Sequence, residues 1–535
     1  MTTLLNPSPN GGVIRKPFLR KILAAVLMGA SLAIFLCAAG GVSYGDSARS
    51  TPLKVTATPL FYRTFGKPND ALVTPDNAYV LVSVSGVDLC TEEGCAGVQV
   101  FTQSDFTNPC GGQQIISFPL PIPGSTPPAP GAPVKTVDGM KFFPGPLQLS
   151  VGAAVEAQGA EFFRLASLNE PCAVDGVVNV QQPPVIPNCN PQNLCPPGSF
   201  NLAVTPDGQY AFVANEYGTL PTPTPANINI GSGTVGIIRT HRDDLGRFTS
   251  HTRRIPGHKY IYVPGGGAIP GVTMSHDGKY LYVTSEVASA DINPRTMMPY
   301  RDPTNVANSP NGIVLCPGCP KLLNGCDNES AGPHSTNGLL TVIDVNKAKR
   351  GMGQASIVRI IASGCSPVRA VETANGQYVF VATRGKNTLL PLPPEPGASG
   401  YQVLAFDRSM LVSGSPNNAL VGYGDTHGTG PVGIALFGTN DSLLAVANGN
   451  RYYRESTHRE RISPDCRNRD LPPCTANVAI MDVSNPAEPR VLQTPVPAFS
   501  IDSFPRDVTV GPDGSTLYVP NANAKRLEVI TTSVN

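Results

Sequence analysis

Charge is scarce in this sequence. Only 14% of its 535 residues are charged, and the formal net charge is +1. No strong field draws nucleic acid or an acidic membrane surface to such a chain. The one dense cationic run, Arg451 to Arg461, also carries Glu455 and Glu460 and reads as a solvated loop. Catalytic signatures are missing too. The sequence has no P-loop, no Gly-x-Ser-x-Gly elbow, no His-Glu-x-x-His and no Cys-x-x-Cys-His. No cofactor is therefore expected. Gly265–Gly267 is not followed by a helical pattern and reads as a turn rather than a phosphate cradle.

Turn formers are abundant instead, with 54 glycines and 55 prolines. Neither residue suits a helix interior. A hydrophobic content of 41% still argues against general disorder. Short strands joined by many turns are expected.

The N-terminus reads as an address. Arg15, Lys16, Arg20 and Lys21 precede an uncharged run of 21 residues, Ile22 to Val42. About 20 apolar residues can span a bilayer, and a signal peptide needs fewer. The run is either an anchor helix or a cleaved signal peptide, and its length favours the anchor. Bulky Phe35 and Leu36 before Cys37 exclude a lipobox. Residues 1–21 would stay cytoplasmic, 43–52 would form a linker, and 53–535 would lie outside the membrane. The 13 cysteines agree with export, because an even number is left outside the hydrophobic run. Cys90, Cys95, Cys189, Cys195, Cys316, Cys319, Cys326, Cys365, Cys466 and Cys474 are disulfide candidates of open connectivity. Cys316-Pro-Gly-Cys319, with Cys326 and His334, has zinc-ligand spacing, but disulfides in an oxidised loop are the favoured reading, so no metal is expected.

A repeat carries most of the information. The copies are Ala71–Val84, Leu202–Asn215, Gly271–Ser285, Arg369–Thr383, Gly433–Asn448 and Asp507–Asn521, with a weaker one at Ala153–Ser167. Each reads as an apolar run, a turn such as Pro206-Asp207-Gly208, and a second run alternating with period two. That is a β-hairpin. A third strand follows each: Val98–Phe101, Val177–Val180, Val235–Thr240, Leu340–Val345, Val403–Asp407, Val478–Val483 and Leu527–Ile530. A fourth is visible only near Phe248. Such a unit cannot bury both faces alone, so the array must close on itself. The expected fold is an all-β, seven-bladed β-propeller. Six or eight blades stay open because one copy is weak, and a two-sheet sandwich is the disfavoured alternative. Leu53–Phe65 is expected to supply the outer strand of the last blade and join the ends of the ring. A blade needs roughly 40–50 residues, whereas successive turns here stand about 50 to 100 apart. The surplus lies in Pro-rich insertions such as 118–133, 181–197, 291–334 and 451–473, in or beside which most of the cysteines fall.

The pattern Val204, Pro206, Asp207, Gly208, Phe212, Val213, Ala214 and Asn215 resembles the YVTN-type β-propeller repeat of the lactonase-like seven-bladed proteins. The resemblance covers nearly everything after residue 50. It implies the propeller fold and, for function, either a cell-surface binding scaffold or a sugar-lactone hydrolase. The long cysteine-bearing insertions depart from the compact lactonase pattern. The motif residues are structural, so no catalytic residue carries over.

Propellers bind ligands at one end of the central channel, on loops before the inner strand or after the second. By repeat register the first group holds Arg369, His427, Arg506 and Asp507. The second holds Glu216, Glu286, Arg384, Lys386, Asn450 and Asn523. This mixture suits a polar or anionic small molecule, with another cell-surface protein as the alternative partner. The expected protein is an extracytoplasmic, monomeric binding scaffold. If it were a hydrolase, His427, Glu216 and Glu286 would be the candidate acid–base groups.

Overall fold

The computed structural model describes residues 55–534 apart from several connecting segments. The longest of these are 118–136, 182–198, 216–231, 289–337, 387–398 and 462–475.

The repeat becomes seven antiparallel blades. Blade 1 runs outward from the inner strand Lys67–Val73 through Tyr79–Ser85 and Ala96–Thr102 to Ile116–Ser117. Blade 2 holds Val137–Phe142, Ser150–Val155, Gly159–Ser167 and Glu170–Gln181. Blade 3 holds Ser199–Val204, Tyr210–Asn215, Ser232–Arg239 and Tyr260–Gly267. Blade 4 holds Gly271–Met274, Tyr280–Ser285, Leu339–Asp344 and Ile357–Ala362. Blade 5 holds Pro367–Glu372, Tyr378–Lys386, Tyr401–Asp407 and Leu420–Asp425. Blade 6 holds Pro431–Phe437, Leu443–Asn448 and Asn477–Asp482, with the short outer strands Arg490–Val491 and Val496–Pro497.

Blade 7 takes its inner three strands, Thr509–Val510, Thr516–Asn521 and Arg526–Val534, from the C-terminal end. Its outer strand is Val55–Arg63, paired from Val55 opposite Val534 to Arg63 opposite Arg526. The ring closes as the sequence implied, and the last blade is spared an unpaired edge.

The blades hold together by apolar layers, one between each adjacent pair. Leu81, Val100, Val151 and Phe163 fill the layer between blades 1 and 2, and Phe162, Leu202 and Val213 that between 2 and 3. Tyr518, Leu527, Val80 and Val82 close the circuit between blades 7 and 1. Each fully buried Val, Leu or Phe contributes about 1.5–3 kcal/mol relative to exposure.

The inner hairpin has a recurrent local cause. Thr74, Thr205, Ser275 and Thr373 occupy the same place before the turn. Each hydroxyl accepts the amide of a tyrosine five residues on (Tyr79, Tyr210, Tyr280, Tyr378) at 2.9–3.1 Å. Each also donates to Asp76, Asp207, Asp277 or Asn375 in the turn. Gly208 closes the turn at φ 63°, where a glycine is unstrained. At the far ends of the second strands Asn215, Asn448 and Asn521 donate to Thr234, Asn477 and Glu528 of the third strands at 3.2, 2.7 and 2.8 Å.

Some expectations are corrected. The weak copy Ala153–Ser167 is a hairpin, but of the second and third strands of its blade. The inner strand lies upstream at Val137–Phe142, with Pro144–Gly145 in its turn, and Val177–Val180 belongs to the outer strand. Alternation of period two marks a strand without telling which strand of a blade it is. Gly265–Gly267 is not a turn; it ends the outer strand of blade 3. The run Arg451–Arg461 is not an irregular loop, since Tyr452–Arg454 pairs with Arg459–Arg461. Near Phe248 only Arg253–Arg254 joins the third strand, at Ile238 and Arg239. The N-terminal hydrophobic run lies outside the described residues. Among the described residues no helix is long and apolar enough to cross a membrane.

Candidate ligand site at the channel mouth

The seven inner strands surround a channel cavity of about 490 Å³. The side chains at its mouth follow from one register. Four residues before the turn hydroxyls of Thr74, Thr205, Ser275 and Thr373 stand Asp70, Asn201, Gly271 and Arg369. The corresponding positions of blades 2, 6 and 7 are Gly139, Gly433 and Asp507. Register shifts in the inner strands of blades 1, 3, 5 and 6 fall just before this position. Such bulges re-aim side chains. The mouth is thus a ring of two carboxylates, one guanidinium, one amide and three glycines.

Arg369 of blade 5 reaches past Gly433 to Asp507 of blade 7, with Nε 3.4 Å from Oδ2. It also donates through Nη1 to the Pro270 carbonyl. Gly433 makes this possible, because a Cβ there would stand 2.4 Å from the Asp507 Cα. Asp507 and Asp70 are neighbours in the ring and are pinned alike. The Val508 amide donates to Asp507 Oδ1 at 2.9 Å, and the Ala71 amide donates to Asp70 Oδ1 at 2.8 Å. The Met140 amide donates to the other Asp70 oxygen at 2.6 Å. Burial, and next the Asp507 charge, push the Asp70 carboxyl up to about 6, against the pull of Lys141. Asn201, 5% exposed, also lines the cavity.

A second tier surrounds the mouth. Arg506 Nη2 stands 2.6 Å from Asp138 Oδ1, and its guanidinium lies over the Phe200 ring at 5.3 Å. Arg384 Nη1 pairs with Glu286 Oε1 at 3.0 Å. Of the residues expected here, then, Arg369 and Asp507 meet in the channel, Arg506 binds Asp138, and Arg384 binds Glu286. His427 does not line the cavity. It sits between blades 5 and 6 at φ 51°, its amide donating to Asp425 at 2.8 Å. Asn523 is exposed in the turn after the second strand of blade 7, and Lys386 ends the second strand of blade 5 opposite Tyr401. Glu216 and Asn450 lie outside the described residues. The proposed acid–base trio is not assembled among the described residues, since Glu286 is held by Arg384 and His427 is elsewhere.

Asp70, Asp138, Lys141 and Asn201 were missed by the sequence reading. A signal existed for two of them. Asp70 and Asn201 occupy the repeat position of Arg369 and Asp507 and would follow from applying that register to every blade.

The other end of the channel is built for packing. Glu372, buried, accepts from the Tyr282 hydroxyl at 2.7 Å and the His276 amide at 2.6 Å, and pairs with Arg408 at 2.8 Å, while Arg408 Nε donates to the Tyr282 hydroxyl. Arg408 also meets Asp277 at 2.6 Å. Burial opposes ionisation of Asp277, yet the hydrogen bonds of Arg408 and Ser275 hold it well below the usual carboxylate range. Arg408 stands on the short helix Arg408–Val412, capped by Asp407, and Lys349 on Val345–Lys349, capped by Asp344, reaches Asp207 at 3.2 Å in the same way. These cations clamp blade 5 to blade 4 and blade 4 to blade 3.

Cys110 and Cys172 form a disulfide, Cα–Cα 5.4 Å, across 62 residues and from blade 1 to blade 2. Neither was among the candidates, which were chosen for closeness in sequence. Cys365 is buried and disulfide-bonded. The other nine candidate cysteines lie outside the described residues. No group of three or more metal-ligating side chains occurs among the described residues.

Fold and site together define a seven-bladed β-propeller with a charged channel mouth. No protein-family model and no curated protein matches the chain. Among solved structures it is similar to hydrazine synthase of Kuenenia stuttgartiensis, at 12% identity and a TM-score of 0.47, over 89% of this chain and 98% of that one. A chain of a mitotic checkpoint complex gives 10%, 0.46, 99% and 98%. The Dos1 propeller gives 10%, 0.41, 90% and 95%. Similarity at this level says nothing about ligand or partner.

Proposed function

We propose that this chain is an extracytoplasmic, monomeric binding propeller of the YVTN type, held or exported by residues 22–42. Its ligand is a small polar molecule seated at the channel mouth. The observation that carries this reading is the convergence of Arg369, Asp507, Asp70 and Asn201 on one cavity. Few convergent polar groups in a concave site are what a small-molecule site requires. The Cys110–Cys172 disulfide supports an oxidising compartment. Against the lactone hydrolase reading, Glu286 is engaged by Arg384, His427 does not line the cavity, and both Asp70 oxygens already accept backbone amides.

Calorimetric titration of the full chain with D-glycerate, D-gluconate, L-serine and ethanolamine tests the proposal. Saturable heat is expected from at least one probe, with affinity at least tenfold weaker in Arg369→Met. Absence of heat from all four, or heat that Arg369→Met and Asp507→Asn leave unchanged, overturns it. Opening of glucono-δ-lactone above the uncatalysed rate, lost in Arg369→Met, would establish the hydrolase instead.

A further inference from the structure

Resting on that reading, we infer that the ligand is a small zwitterion, an amine-bearing carboxylic acid, whose ammonium group binds Asp70 and Asp507 and whose carboxylate binds Arg369 and Lys141.

The charges at the mouth balance: Arg369 pairs with Asp507, and Lys141 acts on Asp70. Asp70 and Asp507 are adjacent in the ring, and each is turned by the amide of the following residue. Arg369 approaches from blade 5, on the far side of Asp507, and Lys141 lines the cavity on blade 2. A simple anion would meet the two carboxylates, and a simple cation the two bases. A molecule with both charges satisfies each set at once.

Donors and acceptors are left over for it. The Arg369 Nε and Nη1 groups are engaged by Asp507, Pro270 and Val368. The Nη2 group and the Lys141 ammonium have no hydrogen bond among the described residues. The Asn201 amide is 5% exposed, lines the cavity and makes no side-chain hydrogen bond among the described residues. A ligand atom can pair with that amide without displacing a hydrogen bond within the protein.

The ammonium end is expected to be sensitive to acid. The groups acting on the Asp70 carboxyl are the Asp507 carboxylate of blade 7, the Lys141 ammonium of blade 2 and the Met140 and Ala71 amides, in a site buried enough to push it up to about 6. Below that pH it loses its charge, and its attraction for an ammonium with it.

Calorimetry on the full chain at pH 7.5 with L-serine, β-alanine and γ-aminobutyrate, against D-glycerate and ethanolamine as single-charge controls, decides the matter. At least one zwitterion is expected to bind tenfold more tightly than both controls. Its affinity should fall about tenfold between pH 7.5 and pH 5. Asp70→Asn should weaken binding about tenfold at pH 7.5 and flatten that pH dependence, with Asp507→Asn as the second variant should the first not fold. Equal or tighter binding of glycerate, lost in Arg369→Met, overturns the zwitterion and leaves the mouth a binding site. Binding of ethanolamine alone overturns the zwitterion as well. No heat from any probe overturns both proposals.

Discussion

Thr205 and its counterparts Thr74, Ser275 and Thr373 show how one hydroxyl fixes a turn. Each stands between the tyrosine amide that begins the next strand and the acidic or amide side chain in the bend. Thr205→Val keeps the shape and removes both bonds, leaving the Tyr210 amide unpaired at that contact. A loss of about 1–3 kcal/mol is expected, read as a lower urea midpoint. Gly433 makes the opposite point, since its value lies in what is missing. Gly433→Ala places a methyl 2.4 Å from the Asp507 Cα and 2.8 Å from its Oδ1. The backbone must shift, at about 1–3 kcal/mol, and the Arg369–Asp507 pair with it. Ligand affinity should fall together with the melting temperature; a melting temperature unchanged from wild type would contradict the tight approach. At this scale the sequence was informative about turns, because Pro206, Asp207 and Gly208 act on their own backbone. It grouped Arg369 with Asp507 at the mouth by register but did not show that they pair, since they are 138 residues apart and meet only across the ring.

The strand that carries Glu528 has a titratable group where none is comfortable. Glu528 is fully buried, opposite Phe61 of the closing strand and Val519 of its own blade. Asn521 donates to one oxygen at 2.8 Å, and the other has no partner among the described residues. Burial pushes the carboxyl up to about 8, with the Asn521 hydrogen bond opposing. The folded state thus prefers the protonated form. The stabilisation is fully present below about 4.5, the value of the unfolded chain, and is lost progressively as pH rises to about 8. Glu528→Gln should flatten this decline and melt several degrees above wild type at pH 8.5 but not at pH 4.5. Strands of this kind were legible by their alternation, and third strands by runs such as Leu340–Val345. Blade 2 was misread by one strand because its inner hairpin lacks the Thr-Pro-Asp-Gly bend and turns at Pro144–Gly145 instead.

The whole ring depends on two long-range ties. Val55–Arg63 gives the last blade its outer strand. A chain lacking residues 53–63 would expose the edge of Arg526–Val534, and it should elute as oligomer or aggregate on size exclusion while the full chain elutes as monomer. The Cys110–Cys172 disulfide closes 62 residues between blades 1 and 2. Cys110→Ser should cost about 2–4 kcal/mol, seen as an earlier transition in thermal melts without reductant. The two changes act at different places, so their effects should add.

The sequence by itself determined the repeating hairpin unit and the closure of the array, because turn chemistry and strand alternation act over a few residues and recur; the structure settled the count at seven by supplying the inner strand of blade 2. Tertiary structure alone decided which of the mouth residues pair, Arg369 with Asp507 and Arg506 with Asp138, and that Cys110 and Cys172 find each other. Those partners lie in different blades, and their distances are set by how seven separately encoded sheets stack, a property that no local stretch of chain contains.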